Sequence, residues 1–306
     1  MKLGFVSAIL DESTYKEMTD IASDLGFECV EVACWPKGEA ERRYAGVSHI
    51  DVDKVLKNDK YANEILDYAK SKKIDISSLA FYPNTLDPDI EKREANVAHL
   101  KNVIKASHKL GVGMVTTFIG RDQNKTVEEN LIIVSQVWAS IVELAEDNNV
   151  KIAIENCPML FGRDQWPGGQ NLMTTPAIWR KVFEMFPSKN LGINYDPSHF
   201  VWQMIDYINP IYEFKDKIFH VHYKDIKLFP DKLNQVGIMA YPLEFMSPKL
   251  PGLGDVDWGK YVSTLTDIGY DGFTCIEIED KSFEGSHEKV IKSLKLSKKY
   301  MEQFVI

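Results

Sequence analysis

Cysteine is scarce: 4 residues in 306, with no CxxC pair among them. Cys29, Cys34, Cys157 and Cys275 sit mostly in apolar, strand-like segments, so they read as buried reduced thiols rather than a redox or zinc motif. No apolar run reaches the roughly 20 residues that span a bilayer. Met1 to Ala8 enters a strand-like segment with no charged leader, so a soluble cytoplasmic protein with no membrane partner is expected. Positive charge is in deficit as well, with 36 Lys and Arg against 45 Asp and Glu and a formal net charge of -9. That balance repels a phosphate backbone unless a basic groove is concentrated locally, and no nucleic-acid partner is expected. Low-complexity tracts, long charge blocks and Pro/Gly-rich linkers are missing too, so one domain over residues 1–306 is expected. Hydrophobic residues make up 44% of the chain, ample for a core.

What the chain does contain is a regular alternation of strand and helix patterns. Strands are predicted near 3–8, 29–35, 74–82, 114–119, 151–156, 191–196, 218–224 and 273–279. Helices are predicted at 14–25, 60–72, 91–110, 127–148, 175–186, 257–267 and 287–303, with a weaker one around 200–214. Leu25-Gly26, Leu110-Gly111 and Ile268-Gly269 close three of the helices, where Gly tolerates a left-handed cap. Eight repeats of this alternation specify an α/β fold with a parallel sheet, closed most simply as a (β/α)8 TIM barrel. The competing doubly wound sheet has no GxGxxG after the first strand to support it.

Four strand segments carry a metal-ligand type in phase: Ile152 to Glu155, Leu191 to Asp196, Phe219 to His222 and Cys275 to Ile278. Their large apolar residues fall on one parity, and Glu155, Asp196, His222 and Glu277 fall on the other. Successive strand side chains point to opposite faces, so the apolar set can face helices while the polar set faces the barrel interior. Each polar residue lies near the C-terminal end of its strand, where barrels of this type carry their sites. Three carboxylates and one imidazole make a hard, oxygen-rich set for one divalent ion, Mn2+, Mg2+, Co2+ or Zn2+, with positions left open for substrate. The same four residues would also serve as a hydrogen-bonded network inside the barrel. Two long loops follow these strands, Cys157 to Thr174 and Ile226 to Asp255, and their aromatic and Met content favours lids.

The segments Ile154-Glu155-Asn156, Tyr195-Asp196-Pro197-Ser198-His199, His220-Val221-His222-Tyr223-Lys224-Asp225, Pro251-Gly252-Leu253-Gly254-Asp255 and Gly269-Tyr270-Asp271-Gly272, with Ile276-Glu277 after them, add a second signal. In this order they resemble the xylose-isomerase-like TIM barrels described as sugar phosphate isomerases/epimerases, over nearly the whole chain. The resemblance implies that Glu155, Asp196, His222 and Glu277 bind one divalent metal and that His199 contacts substrate. By resemblance to the ketose epimerases, Glu155 and Glu277 also act as catalytic base and acid.

Neighbouring residues are open to more than one role. Lys224, in phase at its strand end, would either polarise a substrate oxygen or close a salt bridge. His220 lies one layer deeper, as a core hydrogen bonder, and Glu279 reads as a salt-bridge partner. Asn156, on the helix-facing parity, would cap the following turn, although strand ends often twist out of phase. His49, His99, His108 and His287 are expected to face solvent. Trp35 could offer a flat face to a sugar ring, and Tyr82, Asn84 and Thr116-Thr117 could bind hydroxyls, although ordinary packing would place them equally well. Arg163 would clamp a carboxylate or phosphate, or pair locally with Asp164.

A metal chelating adjacent carbonyl and hydroxyl oxygens lowers the barrier to removing the proton between them through an enediolate. Returning that proton gives isomerisation or epimerisation, and loss of a β substituent gives dehydration. The favoured expectation is a sugar or keto-sugar isomerase or epimerase, with an inosose-type dehydratase or lyase as the alternative. An abasic-site endonuclease is remote, because the third and fourth strand ends, Tyr82-Pro83-Asn84 and Thr117-Phe118-Ile119, carry no additional His. A noncatalytic sugar sensor would not require two opposed ligand carboxylates. The expected partner is a small sugar or keto-sugar, and the aromatic-rich loops could pack across a homodimer.

Overall fold

A computed structural model describes residues 1–36, 45–160, 163 and 166–305. Eight parallel strands close into a barrel: β1 (Lys2–Val6), β2 (Cys29–Ala33), β3 (Asp75–Ala80), β4 (Met114–Thr117), β5 (Lys151–Glu155), β6 (Leu191–Tyr195), β7 (Ile218–Tyr223) and β10 (Phe273–Ile276). Their order around the barrel is β1-β10-β7-β6-β5-β4-β3-β2. The seam that closes it pairs Gly4 of β1 with Cys275 of β10. Two irregularities interrupt the register, between Val30 and Glu31 against β3 and between Ile193 and Asn194 against β7. Such shifts re-aim side chains and recur beside active sites. Among the described residues, no helix is long and apolar enough to cross a membrane.

The alternation is realised as two layers. Ile152, Ile154, Leu191, Ile193, Tyr195, Val221, Tyr223 and Ile276 are fully buried in the apolar core that includes Trp179, Trp258, Tyr261 and Leu265 from the surrounding helices. Each large aliphatic side chain so buried contributes about 1.5–3 kcal/mol, which fixes the strands' rotation and turns the opposite parity inward. Two of the helices begin at reciprocal capping boxes, Thr14 with Glu17 and Thr126 with Glu129. Gly26, Gly111 and Gly269 adopt positive φ of 71°, 67° and 72° at helix ends, as their sequence positions predicted.

Three segments differ from the sequence expectation. The helix expected over 127–148 is two, Val127–Val137 and Ala139–Asp147, because Trp138 between them is buried and its Nε1 donates to Ile119 O at 3.0 Å. The helix expected around 200–214 is also two short ones, Ser198–Trp202 and Asn209–Glu213, with Met204 between them at φ 58°. The long segment after β7 is partly ordered as an antiparallel ladder, β8 (Asp225–Leu228) with β9 (Met246–Lys249), around a helix at Pro230–Val236.

Asp225 ties this ladder to the barrel. Its carboxylate accepts from the backbone N–H of Ile226 (2.8 Å), Gly252 (2.9 Å), Val256 (3.1 Å) and Gly254 (3.2 Å), and from Trp258 Nε1 (2.9 Å). A Cβ at Gly254 would stand 2.3 Å from Asp225 Oδ1, so only glycine permits that approach.

Candidate metal centre

The strand ends bring four expected side chains to one point. Glu155 ends β5, Asp196 follows β6, His222 lies near the end of β7 and Glu277 is the residue after β10. One ligand atom from each lies within 4.8 Å of the others. His222 Nδ1 is 3.7 Å from Glu155 Oε1 and 3.5 Å from Glu277 Oε2. Glu155, Asp196 and His222 are buried, yet Glu155 Oε1, Asp196 Oδ2 and His222 Nδ1 have no hydrogen-bond partner. A buried polar atom left unpaired costs free energy. These three atoms converge without hydrogen bonds of their own, Lys224 and His199 standing beside two of them only as ion-pair partners, and the hard donor set could hold a divalent ion.

Two cationic side chains border this point. Lys224 Nζ, buried, lies 2.7 Å from Glu277 Oε2, 3.1 Å from Asp196 Oδ2, 3.4 Å from Glu279 Oε2 and 3.9 Å from Glu155 Oε1. His199 Nε2 lies 3.3 Å from Asp196 Oδ2 and 3.5 Å from Glu155 Oε1. The Lys224 salt bridges, including that to Glu279, match one of the two roles open to it from sequence. Burial opposes charge on all these groups, and the neighbours decide the outcome. His199, His222 and Lys224 overcome burial at Glu155 and hold its carboxyl well below the usual range. Lys224 and His199 likewise hold Asp196 at about 2. At Glu277 burial prevails, with the Glu155 and Glu279 charges adding to it against Lys224, so its carboxyl is pushed up.

Asparagines fix the backbone beneath the cluster. Asn156 Nδ2 donates to Asp196 O at 2.8 Å and its Oδ1 accepts from Asp196 N at 2.8 Å, so it does not cap its own turn. It clamps the next ligand's main chain instead, because the strand end twists out of phase. Asn171 Nδ2 donates to Glu155 O (2.9 Å) and Cys157 O (2.6 Å).

Sequence reasoning did not single out Glu31. It is fully buried in β2, with Oε2 2.8 Å from His222 Nε2 and Oε1 accepting from Tyr82 Oη at 2.6 Å. Its signal was available: Val30 and Val32 flank it, the same alternation that marks Glu155. His220 lies in this deeper polar layer, as expected, bonded to Asn194 Oδ1 (3.0 Å) and Ser77 Oγ (3.1 Å).

Above the cluster opens a cavity of about 410 Å³, with Glu155, His199, Lys224 and Glu277 on its floor and Trp35, Phe118, Met159 and Trp202 among its walls. Trp35 is thus where the sequence put it. Asn84 is not: its amide is spent on Arg121 O, Arg121 N and Leu86 N, stitching the loops after β3 and β4, and it does not line the cavity. Thr116 bonds Ser78 and Thr117 bonds Phe118 O, so neither presents a hydroxyl to the cavity. Arg163 is exposed and forms an ion pair with Glu244 at 2.7 Å rather than facing the cavity; Phe161, Gly162, Asp164 and Gln165 of the expected lid lie outside the described residues. His108 and His287 face solvent as expected, but His49 is buried and His99 half-buried with Nε2 2.8 Å from Cys34 O. Cys29, Cys34 and Cys275 are buried free thiols, and Cys157 is half-buried at the cavity wall.

A closed parallel barrel with a carboxylate and imidazole cluster at the C-terminal ends of its strands defines a broad class of site. The chain belongs to the xylose isomerase-like TIM barrel family, whose model matches residues 19–300. Among its relatives, an uncharacterized protein of Methanocaldococcus jannaschii is 25% identical over 99% of this chain and 90% of its own length. An inosose dehydratase of Clostridium tetani is 25% identical over 58% of this chain and 59% of its own. Among solved structures, D-psicose 3-epimerase from Clostridium cellulolyticum H10 superposes with a TM-score of 0.70 at 17% identity, covering 100% of this chain and 99% of the other. The IOLI protein, solved with a bound zinc atom, superposes at 0.71 and 19% identity, covering 99% of each chain. The fold is therefore shared with a D-psicose 3-epimerase and with a protein solved with bound zinc.

Proposed function

We propose that the chain is a metal-dependent isomerase or epimerase of a sugar or keto-sugar, acting in the cytoplasm by moving a proton next to a carbonyl. The observation that carries this reading is the convergence of unpartnered, buried donor atoms on Glu155, Asp196 and His222 beside Glu277. These four residues would hold one divalent ion, which when bound supplies fixed positive charge beside a carbonyl and its neighbouring hydroxyl. Glu155 and Glu277 come from strands separated by β6 and β7, so they reach the cluster from two sides. Glu155 takes the proton from one side of the cluster and Glu277 returns one from the other. His199 and Lys224 on the cavity floor bind substrate oxygens, and Trp35 offers a wall for the sugar ring.

A second reading, dehydration of a keto-sugar or inosose, is favoured by Lys224. Its buried ammonium faces the cavity and could give a proton to a departing hydroxyl, which leaves as water while the α proton stays on the carboxylate. One experiment separates the readings. Purified protein loaded with Mn2+, Co2+, Zn2+ or Mg2+ is incubated with keto-sugars and inososes in D2O and followed by mass spectrometry. Deuterium uptake without loss of mass supports isomerisation or epimerisation, and loss of water supports the dehydratase. Absence of exchange and of water loss alike, with every metal and substrate, rejects both.

A further inference from the structure

We propose that Glu31 is a positioning residue: it holds His222 with the proton on Nε2 and so reserves Nδ1 as the donor to the metal. This rests on the metal reading above and adds a residue from β2 that lies outside the four-ligand cluster.

The protons in the buried layer can be counted. An ionised carboxylate only accepts. Glu31 Oε2 at 2.8 Å from His222 Nε2 is therefore a hydrogen bond only if Nε2 carries the proton. Asn194 Nδ2 also lies 2.9 Å from that nitrogen, and as a donor it would favour the opposite tautomer. It has an alternative acceptor, however, in Tyr82 Oη at 3.1 Å, whose own proton goes to Glu31 Oε1. With Nε2 protonated the rest of the chain of bonds runs one way, Asn194 Oδ1 accepting from His220 Nδ1 and His220 Nε2 accepting from Ser77 Oγ, at the cost of one Asn194 N–H left facing Nε2–H at 2.9 Å. The other tautomer would set a carboxylate oxygen against a ring lone pair at 2.8 Å. It would gain a neutral bond from Asn194 Nδ2 at 2.9 Å and contacts of 3.5 Å and 3.7 Å to Glu277 and Glu155. A charge-assisted bond at 2.8 Å to an ionised carboxylate outweighs a neutral one of similar length and the two longer contacts.

The consequence falls on Nδ1, which is buried, unpartnered and aimed at the carboxylates. Glu31, His220 and His222 also lie close enough together to suggest a second metal site. Both nitrogens of His220 and Nε2 of His222 are already committed to hydrogen bonds, so this group orients the first site instead. Partners of this kind typically carry 10–100-fold in metal affinity.

The test uses zinc alone. Zinc affinity is measured by competition with a chromophoric chelator for wild type, Glu31→Gln and Ser77→Ala, and histidine nitrogens are observed by long-range 1H–15N NMR of the zinc-loaded proteins. Glu31→Gln keeps the shape but loses the charge, and it should bind zinc roughly 10–100-fold more weakly. Its His222 Nε2 proton resonance should also move upfield. Ser77→Ala, which disturbs the same network at His220, should bind zinc like wild type. If Glu31→Gln fails to fold, the wild-type spectrum still decides: zinc on Nδ1 with Nε2 protonated upholds the proposal, and zinc on Nε2 overturns it. Equal affinities of wild type and Glu31→Gln would also overturn it while leaving the metal reading intact. A wild type that takes up no zinc would overturn both.

Discussion

Replacing Asn156 by alanine should weaken both the fold and the metal centre, although Asn156 is outside the ligand set. Its amide supplies both hydrogen bonds to the main chain of Asp196, each at 2.8 Å, and the residue is fully buried. Alanine leaves the Asp196 N–H and C=O without partners in a place water does not reach. Each orphaned group costs about 1–3 kcal/mol, so Asn156→Ala is expected to lose about 2–6 kcal/mol. Asn156→Asp is a sharper variant. One carboxylate oxygen can still accept from Asp196 N–H, but the other then faces Asp196 C=O, acceptor against acceptor. Urea denaturation monitored by circular dichroism reads the stability, and chelator competition reads zinc affinity, which should fall because Asp196 Oδ2 is aimed by this backbone. A folded Asn156→Ala protein with the wild-type urea midpoint and zinc affinity would refute the reasoning.

Glu277→Gln should retain a neutral oxygen donor yet lose about 10²–10⁴ in rate per bound metal; wild-type solvent-proton exchange in the loaded variant would exclude Glu277 as an acid-base group. Lys224→Met removes the ammonium shared by Asp196, Glu277 and Glu279, and breaking such a buried pair costs about 3–5 kcal/mol. Its melting deficit should be large in chelator and smaller with zinc, whereas an equal deficit in both would mean the ammonium does not balance the metal's carboxylates. His49 is held below the ordinary histidine value of 6.5 by burial, and its bonds agree: Ser7 Oγ accepts from Ala33 N–H and gives its own proton to Nδ1, while Nε2–H donates to Leu10 O. The unfolded chain then binds more protons here, so this stability is complete above about pH 6.5 and lost as pH falls below it. Chemical denaturation across that range should show a steeper acid loss for wild type than for His49→Gln, and parallel curves would contradict the assignment.

The barrel and its four-residue cluster were legible because one signal, the two-residue period of a strand, carries both. Ile152 and Ile154 facing helices require Glu155 to face inward, and the same holds around His222. That period stops at strand ends, where side-chain direction depends on loop path. The roles of Asn156 and Asn84 therefore stayed open: each works on a backbone segment brought near only by the fold, Asp196 and Arg121. The partner of Arg163 is 81 residues away on another loop, with no local pattern linking the two. The ladder of β8 and β9 was hidden for a different reason, since Met246-Ser247-Pro248-Lys249 contains proline and no apolar alternation. Glu31 carried the strand signal but stood alone in its segment, and only contact with His222 from β7 shows its use.

The seam between Gly4 and Cys275 has a consequence for how the protein comes into being. The two strands are 271 residues apart in the chain, and Glu277 follows the later one immediately. During synthesis the first seven barrel strands can emerge and pair with neighbours while β1 waits with an open edge. The cluster gains its fourth carboxylate only when the ends of the sheet meet. A chain cut short before residue 273 would keep Glu155, Asp196 and His222 but leave edges on β1 and β7 unpaired, so completion of the site and removal of the aggregation-prone edges are one event.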